Sequence, residues 1–96
     1  MTSLHTINKT PSSADLQSCA KFLSEGDAIL FLEDGVYYST DTKKWPVLLP
    51  STKIYGLEED FLARGLSKTI DNQIELIDFA RFVQLSCEHH KIVSWL

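Results

Sequence analysis

Glycine, proline, cysteine and methionine are all scarce in this 96-residue chain, at four, three, two and one. The glycines fall in neither GxGxxG nor GxxxxGK[ST] spacing, so neither a dinucleotide fingerprint nor a phosphate-cradling loop is signalled. Cys19 and Cys87 form no CxxC pair, which removes thioredoxin-like redox chemistry, and two widely separated cysteines read as free thiols. There is no GxSxG nucleophile elbow. The first apolar segment ends in Asn8-Lys9, without the acidic pair that a phospho-acceptor receiver domain uses to hold magnesium. The longest apolar run, Ala28 to Leu32, is far short of the roughly 18–20 residues that cross a bilayer. MTSLHTINK has no apolar stretch that would serve as a signal peptide, so the expected location is the cytoplasm, with no membrane partner. Basic clusters are missing too. Nine Lys and Arg are scattered, only Lys43-Lys44 are adjacent, and the net charge is −4. That pattern argues against direct, phosphate-driven nucleic-acid binding.

What is present is an alternation of strand and helix patterns over one domain, residues 1–96. Leu4-His5-Thr6-Ile7 reads as a strand. Thr10-Pro11-Ser12-Ser13 reads as a turn with helix caps, and Ser12 with Asp15 as an approximate capping box. A helix is expected from about Ala14 to Leu23, with Leu16, Cys19, Ala20 and Leu23 on its apolar face and Gly26 ending it. Ala28 to Leu32 has no polar alternation and reads as a central strand covered on both faces. Asp34-Gly35 turns the chain into a short irregular or helical stretch punctuated by Pro46 and Pro50. Lys53 to Leu57 is a third strand. Glu58-Glu59-Asp60 opens a short helix to about Arg64, stopped by Gly65. Ile74 to Ile77 is a fourth strand. Asp78 caps a helix to about His89 whose face is Phe79, Phe82, Val83 and Ser86, and Ile92 to Trp95 closes as a last strand. The fold class is therefore α/β: a three-layer α/β/α sandwich around a mostly parallel sheet of about five strands.

The chemistry-bearing residues form no complete active site. Cys19 at an apolar helical position most simply packs as a small hydrophobe, whereas sulfur handling would need its thiolate to be reachable and partly ionised. Cys87, His89 and His90 invite a zinc reading, but their spacing does not put all three on one helix face and no second ligand pair accompanies them; no metal and no cofactor are expected. His5 lacks an adjacent nucleophile and reads as a hydrogen-bonded structural histidine. Glu33-Asp34 reads as a turn. Arg64 either complements the end of its helix or pairs with a carboxylate. Tyr37, Tyr38, Trp45 and Trp95 fall outside the strongest core pattern and are interface candidates. A chain this short buries only about 60–65% of its unfolded surface, so association with a partner is an effective way to cover the rest.

Four segments taken in order, LHTINKTP at 4–11, EGDAILFLEDGVY at 25–37, LARGL at 62–66 and IDFARFVQLS at 77–86, resemble the DsrH/TusB family. The likeness runs from Leu4 to Trp95. It implies a five-stranded sheet between helices and a place as the smallest subunit of a sulfur-relay complex. In that complex two related small α/β subunits, DsrE/TusD-like and DsrF/TusC-like, join it in a dimer of heterotrimers, and persulfide sulfur passes on to a small acceptor protein. The main persulfide cysteine of the family lies on a larger subunit. LQSCAKFL resembles the DsrH branch, which carries a cysteine where this chain has Cys19, so an accessory sulfur-handling or partner-contact role for Cys19 is implied by the resemblance, not required by it. The expected end point is 2-thiolation of the tRNA wobble uridine. The alternatives are DsrH-type service in oxidation of stored sulfur, or an assembly module without its own chemistry.

Overall fold

Five strands and three α-helices are present in the computed structural model, which describes residues 1–66 and 71–95. The strands are β1 (Ser3–Ile7), β2 (Ala28–Phe31), β3 (Lys53–Leu57), β4 (Glu75–Ile77) and β5 (Lys91–Trp95), and the helices α1 (Asp15–Ala20), α2 (Glu58–Ala63) and α3 (Phe79–Glu88). Every strand pairing is parallel, in the order β4-β3-β2-β1-β5. The first three connections step in one direction across the sheet, whereas the fourth returns from one edge to the other. Right-handed crossovers therefore place α1, the 3₁₀ segment Glu33–Thr40 and α2 on one face and α3 on the opposite one.

The packing follows that division, because successive strand residues point to opposite faces. On the first face Ile7, Ile29 and Phe31 pack with Leu16 and Cys19 of α1, Val36 and Tyr38 of the 3₁₀ segment, and Phe61 of α2. On the second, Leu4, Ala28, Leu30, Tyr55 and Ile77 pack with Leu85 of α3, joined by partly buried Phe82. The core strands β1 and β2 are wholly buried, as expected of strands inside a parallel sheet; β2 is apolar on both faces, whereas β1 also buries Ser3, His5 and Thr6. None of the helices among the described residues is long and apolar enough to cross a membrane.

Four sequence expectations need correction. The first helix is shorter than Ala14–Leu23. Pro11–Ser13 form a 3₁₀ turn, Ala14 takes a left-handed conformation (φ 59°), and α1 covers only Asp15–Ala20. The Ser12–Asp15 capping box does not form: the cap position falls to Ala14, which has no capping side chain, and the Ser12 hydroxyl pairs with that of Thr10 at 2.7 Å. Gly26 does not stop the helix. It lies in the turn closed by the Asp27 N–H to the Ser24 carbonyl, at φ 87°. The physical reason is Asp27, whose carboxylate draws off the Ser24 backbone N–H at 3.0 Å and so competes with continued helix.

The fourth correction concerns the face of α3. Asp78 does cap it, its Oδ1 accepting the Arg81 N–H at 2.8 Å. The inward stripe, however, is Phe82 and Leu85, while Phe79 and Val83 are 60% and 46% exposed. One ten-residue helix crossing a whole sheet face touches it along a single narrow stripe, so apolar residues flanking that stripe stay outside.

Two glycines are required for different reasons, one for space and one for backbone conformation. A Cβ on Gly35 would lie 1.9 Å from the Ile7 carbonyl oxygen, because the chain leaving β2 folds back over the end of β1. Gly65, after α2, needs φ 68° but has open space around it. Gly35→Ala is expected to cost about 3 kcal/mol through forced backbone displacement. Gly65→Ala should cost only about 1 kcal/mol, for the left-handed conformation alone. Urea unfolding checks the contrast; equal losses would contradict the close approach at Gly35.

Candidate functional site

Asp27 stands immediately before β2 and is buried, and its carboxylate collects three donors. Oδ1 accepts the Ser3 N–H at 2.8 Å, and Oδ2 accepts the Ser24 N–H at 3.0 Å and His5 Nε2 at 3.0 Å. On the far side of the imidazole, Trp95 Nε1 donates to His5 Nδ1 at 3.1 Å. An indole N–H only donates, so His5 Nδ1 is the acceptor, the ring proton is on Nε2, and the imidazole is neutral. The chain Trp95–His5–Asp27 thus joins β5, β1 and the turn before β2. Burial alone would raise the Asp27 carboxyl, but the Ser3 and Ser24 N–H groups and His5 outweigh it and hold it below the usual carboxylate range.

This cluster floors a cavity of about 410 Å³, which Ser3, His5, Asp27, Phe22, Lys91 and Trp95 help to line. His5 and Trp95 are stacked with ring centroids 6.2 Å apart, and Phe22 lies 5.9 Å from Trp95. Sequence reasoning identified His5 as a structural histidine and Trp95 as an interface aromatic. Asp27 was not singled out, although it lies within the segment EGDAILFLEDGVY; its one physical signal is an acid placed directly before a fully apolar strand.

Cys19 lies on α1 in the same neighbourhood and is fully buried. Burial, with the negative charge of Asp27 adding, pushes its thiol up to about 12. A thiol with so high a pKa is protonated at neutral pH, and this one packs in the core. Cys87, by contrast, is exposed on the last turn of α3. Its two histidine neighbours are engaged elsewhere: His89 Nδ1 donates to the Leu85 carbonyl at 2.8 Å, and His90 Nδ1 accepts the Thr2 N–H at 3.1 Å. No group of three or more His, Cys, Asp or Glu among the described residues is arranged to hold a metal.

The remaining aromatics divide. Tyr38 is a core residue of the chain itself, its ring stacked on Phe31 at 5.3 Å and its hydroxyl accepting the Leu16 N–H at the start of α1. Trp45 covers the edge of that cluster, with its ring 5.5 Å from Phe31 and its Nε1 donating to the Tyr38 carbonyl at 2.8 Å. Tyr37, Trp45 and Trp95 keep exposed surface. Arg64 pairs with a carboxylate: Nη2 and Nε reach Asp34 Oδ1 at 3.0 and 3.1 Å. Asp60 accepts the backbone N–H of Glu33, which is held at φ 50°. The turn after β2 and the helix after β3 are thereby fastened together.

Three comparisons bear on this arrangement. The family described as DsrH like protein matches residues 9–92. The chain is 39% identical over 94 residues to Protein TusB of Escherichia coli strain K12, covering 96% of this chain and 99% of the relative, and it is equally similar to Protein TusB of Shigella sonnei strain Ss046. In fold it is similar to Protein Tm0979 from Thermotoga maritima, solved by solution NMR, with a TM-score of 0.65, 23% identity, and coverage of 90% of this chain and 92% of that one.

The lowered Asp27 carboxyl has a consequence for stability. Its contribution is complete above about pH 4, the unfolded carboxylate range, and is lost as the pH falls through the lower folded value. Asp27→Asn should therefore lower the urea midpoint at pH 7 and flatten its decline on acidification below about pH 4. An unchanged acid slope in the variant would show that Asp27 is not a source of the acid sensitivity.

Proposed function

This chain belongs to the DsrH family, and from that premise we propose that it is the small subunit of a cytoplasmic sulfur-relay complex, serving 2-thiolation of the tRNA wobble uridine. The observation that carries the reading is the near end-to-end match to TusB relatives. In such a relay a thiolate attacks the terminal sulfur of a persulfide, a new S–S bond forms, the old one breaks, and the donor leaves as a thiolate. No cofactor is needed for that exchange.

The role of this chain in the complex is architectural, and the persulfide-carrying cysteine belongs to a partner subunit. Two features support this. Cys19 is buried and protonated, and exchange requires a reachable thiolate. In addition, apolar surface stays uncovered on both sides of the sheet: Phe22 beside the Asp27 cavity, and Phe79, Val83 and Ile92 on the side of α3 and β5. A chain of this size gains most from covering such surface with other subunits. Its partners are two related small α/β subunits, DsrE/TusD-like and DsrF/TusC-like, in a dimer of heterotrimers. A small sulfur-acceptor protein takes the sulfur onward, and the chain itself touches neither RNA nor membrane. Tyr37, Trp45 and Trp95 are the aromatics placed to meet those subunits.

Native mass spectrometry of the chain isolated from its own cells should give a mass for two copies each of three small subunits, and deleting its gene should remove 2-thiouridine from tRNA. A free monomer would overturn the assembly. Intact tRNA thiolation with impaired oxidation of stored sulfur would move the protein to the other branch of the family.

A further inference from the structure

The cavity over Asp27 has an unusual charge balance. Asp27 is only 3% exposed, yet its three hydrogen-bond donors are two backbone N–H groups and a neutral imidazole. No lysine or arginine among the described residues pairs with it, and its one ring partner, His5, accepts from Trp95 at the other nitrogen. A buried carboxylate without a counter-cation is held at a cost that a matching positive group would relieve. The carboxylate also has acceptor capacity left: Oδ1 takes a single donor, and an ionised carboxylate accommodates about four in all.

The walls point to the same kind of occupant. Trp95 and Phe22 stand 5.9 Å apart in a tilted pair, and Phe22 is 66% exposed at the mouth. Tryptophan gives the best aromatic face for a cation, and a planar guanidinium stacks on such rings while donating to a carboxylate. Met1, also at the mouth, is 93% exposed. Together with Phe22 it forms an apolar rim that suits the stem of a protein side chain better than a small solvated ion. Lys91 on the rim forms no ion pair with Asp27 and does not supply the missing charge.

We propose that this cavity is a receptor for an arginine side chain of a partner protein, its guanidinium lying against Trp95 and Phe22 and hydrogen-bonded to Asp27. The chemistry of the cavity is the same whether or not the chain works in sulfur relay, so the isolated full chain is the right sample.

The test is a titration of the ¹⁵N-labelled chain with N-acetyl-arginine methylamide, followed at the Trp95 indole N–H signal, which the Trp95→Phe variant identifies. N-acetyl-citrulline methylamide, of the same shape and uncharged, is the control. The expected result is a saturable shift at millimolar arginine probe and none with citrulline. Asp27→Asn should abolish the shift, and Phe22→Ala should weaken binding about fivefold. Phe22 is exposed, so its variant serves as the test even where Asp27→Asn does not fold. No saturable shift, an equal response to citrulline, or unchanged affinity in Phe22→Ala would each overturn the proposal.

Discussion

One buried carboxylate organises the termini of this molecule. Asp27 takes the Ser3 backbone N–H and so fixes where β1 begins. It takes the Ser24 N–H and so fixes the turn between α1 and β2. Through His5 it reaches Trp95 at the far end of the chain. This link adds to the backbone ladder, the Thr6–Ser94 hydroxyl contact and the packing of Trp95 on Phe22 in holding β5, an edge strand with no buried residue. The same carboxylate shapes the electrostatics around it: it opposes ionisation of Cys19 and sets a negative charge against a cavity.

A second constraint is the unequal cover of the sheet. A chain that steps three times in one direction and returns once must place most of its connections on one face and a single helix on the other. The first face receives α1, α2 and the long 3₁₀ segment, and its interior is filled by Phe31, Phe61 and Tyr38. The second receives α3 alone, and apolar residues of α3 and β5 remain exposed. Topology, not composition, thus produces the surface that an assembly would cover. An interior thiol and an incompletely covered exterior both favour a scaffold over an independent catalyst.

The strands were readable in the sequence because they depend on local signals. Ala28 to Phe31 is apolar throughout and Lys53–Leu57 is bounded by turn residues, and both form as expected; Asp78 caps α3 as expected. Errors arose where a specific hydrogen bond or the tertiary packing overrode a local pattern. The apolar spacing through Leu23 was a correct sign of burial, for Leu23 still packs against the core, but the helix stops earlier because Asp27 takes a backbone donor. Phe79 and Val83 fit a helical face that the single crossing of α3 cannot bury. Tyr38, an interface candidate in the sequence, falls outside the core pattern because the 3₁₀ segment that turns it inward has no period to detect. The site was the least legible part: His5, Asp27 and Trp95 are brought together only by the pairing of β1 with β2 and β5, and no sequence spacing encodes that meeting.

The central claim is that this chain holds the relay together without carrying sulfur itself. The most direct measurement is persulfide mapping by mass spectrometry on the assembled complex during sulfur transfer, with each cysteine read separately. The account predicts the extra sulfur on a partner subunit and none on Cys19. A persulfide on Cys19 that forms and disappears with turnover would contradict it.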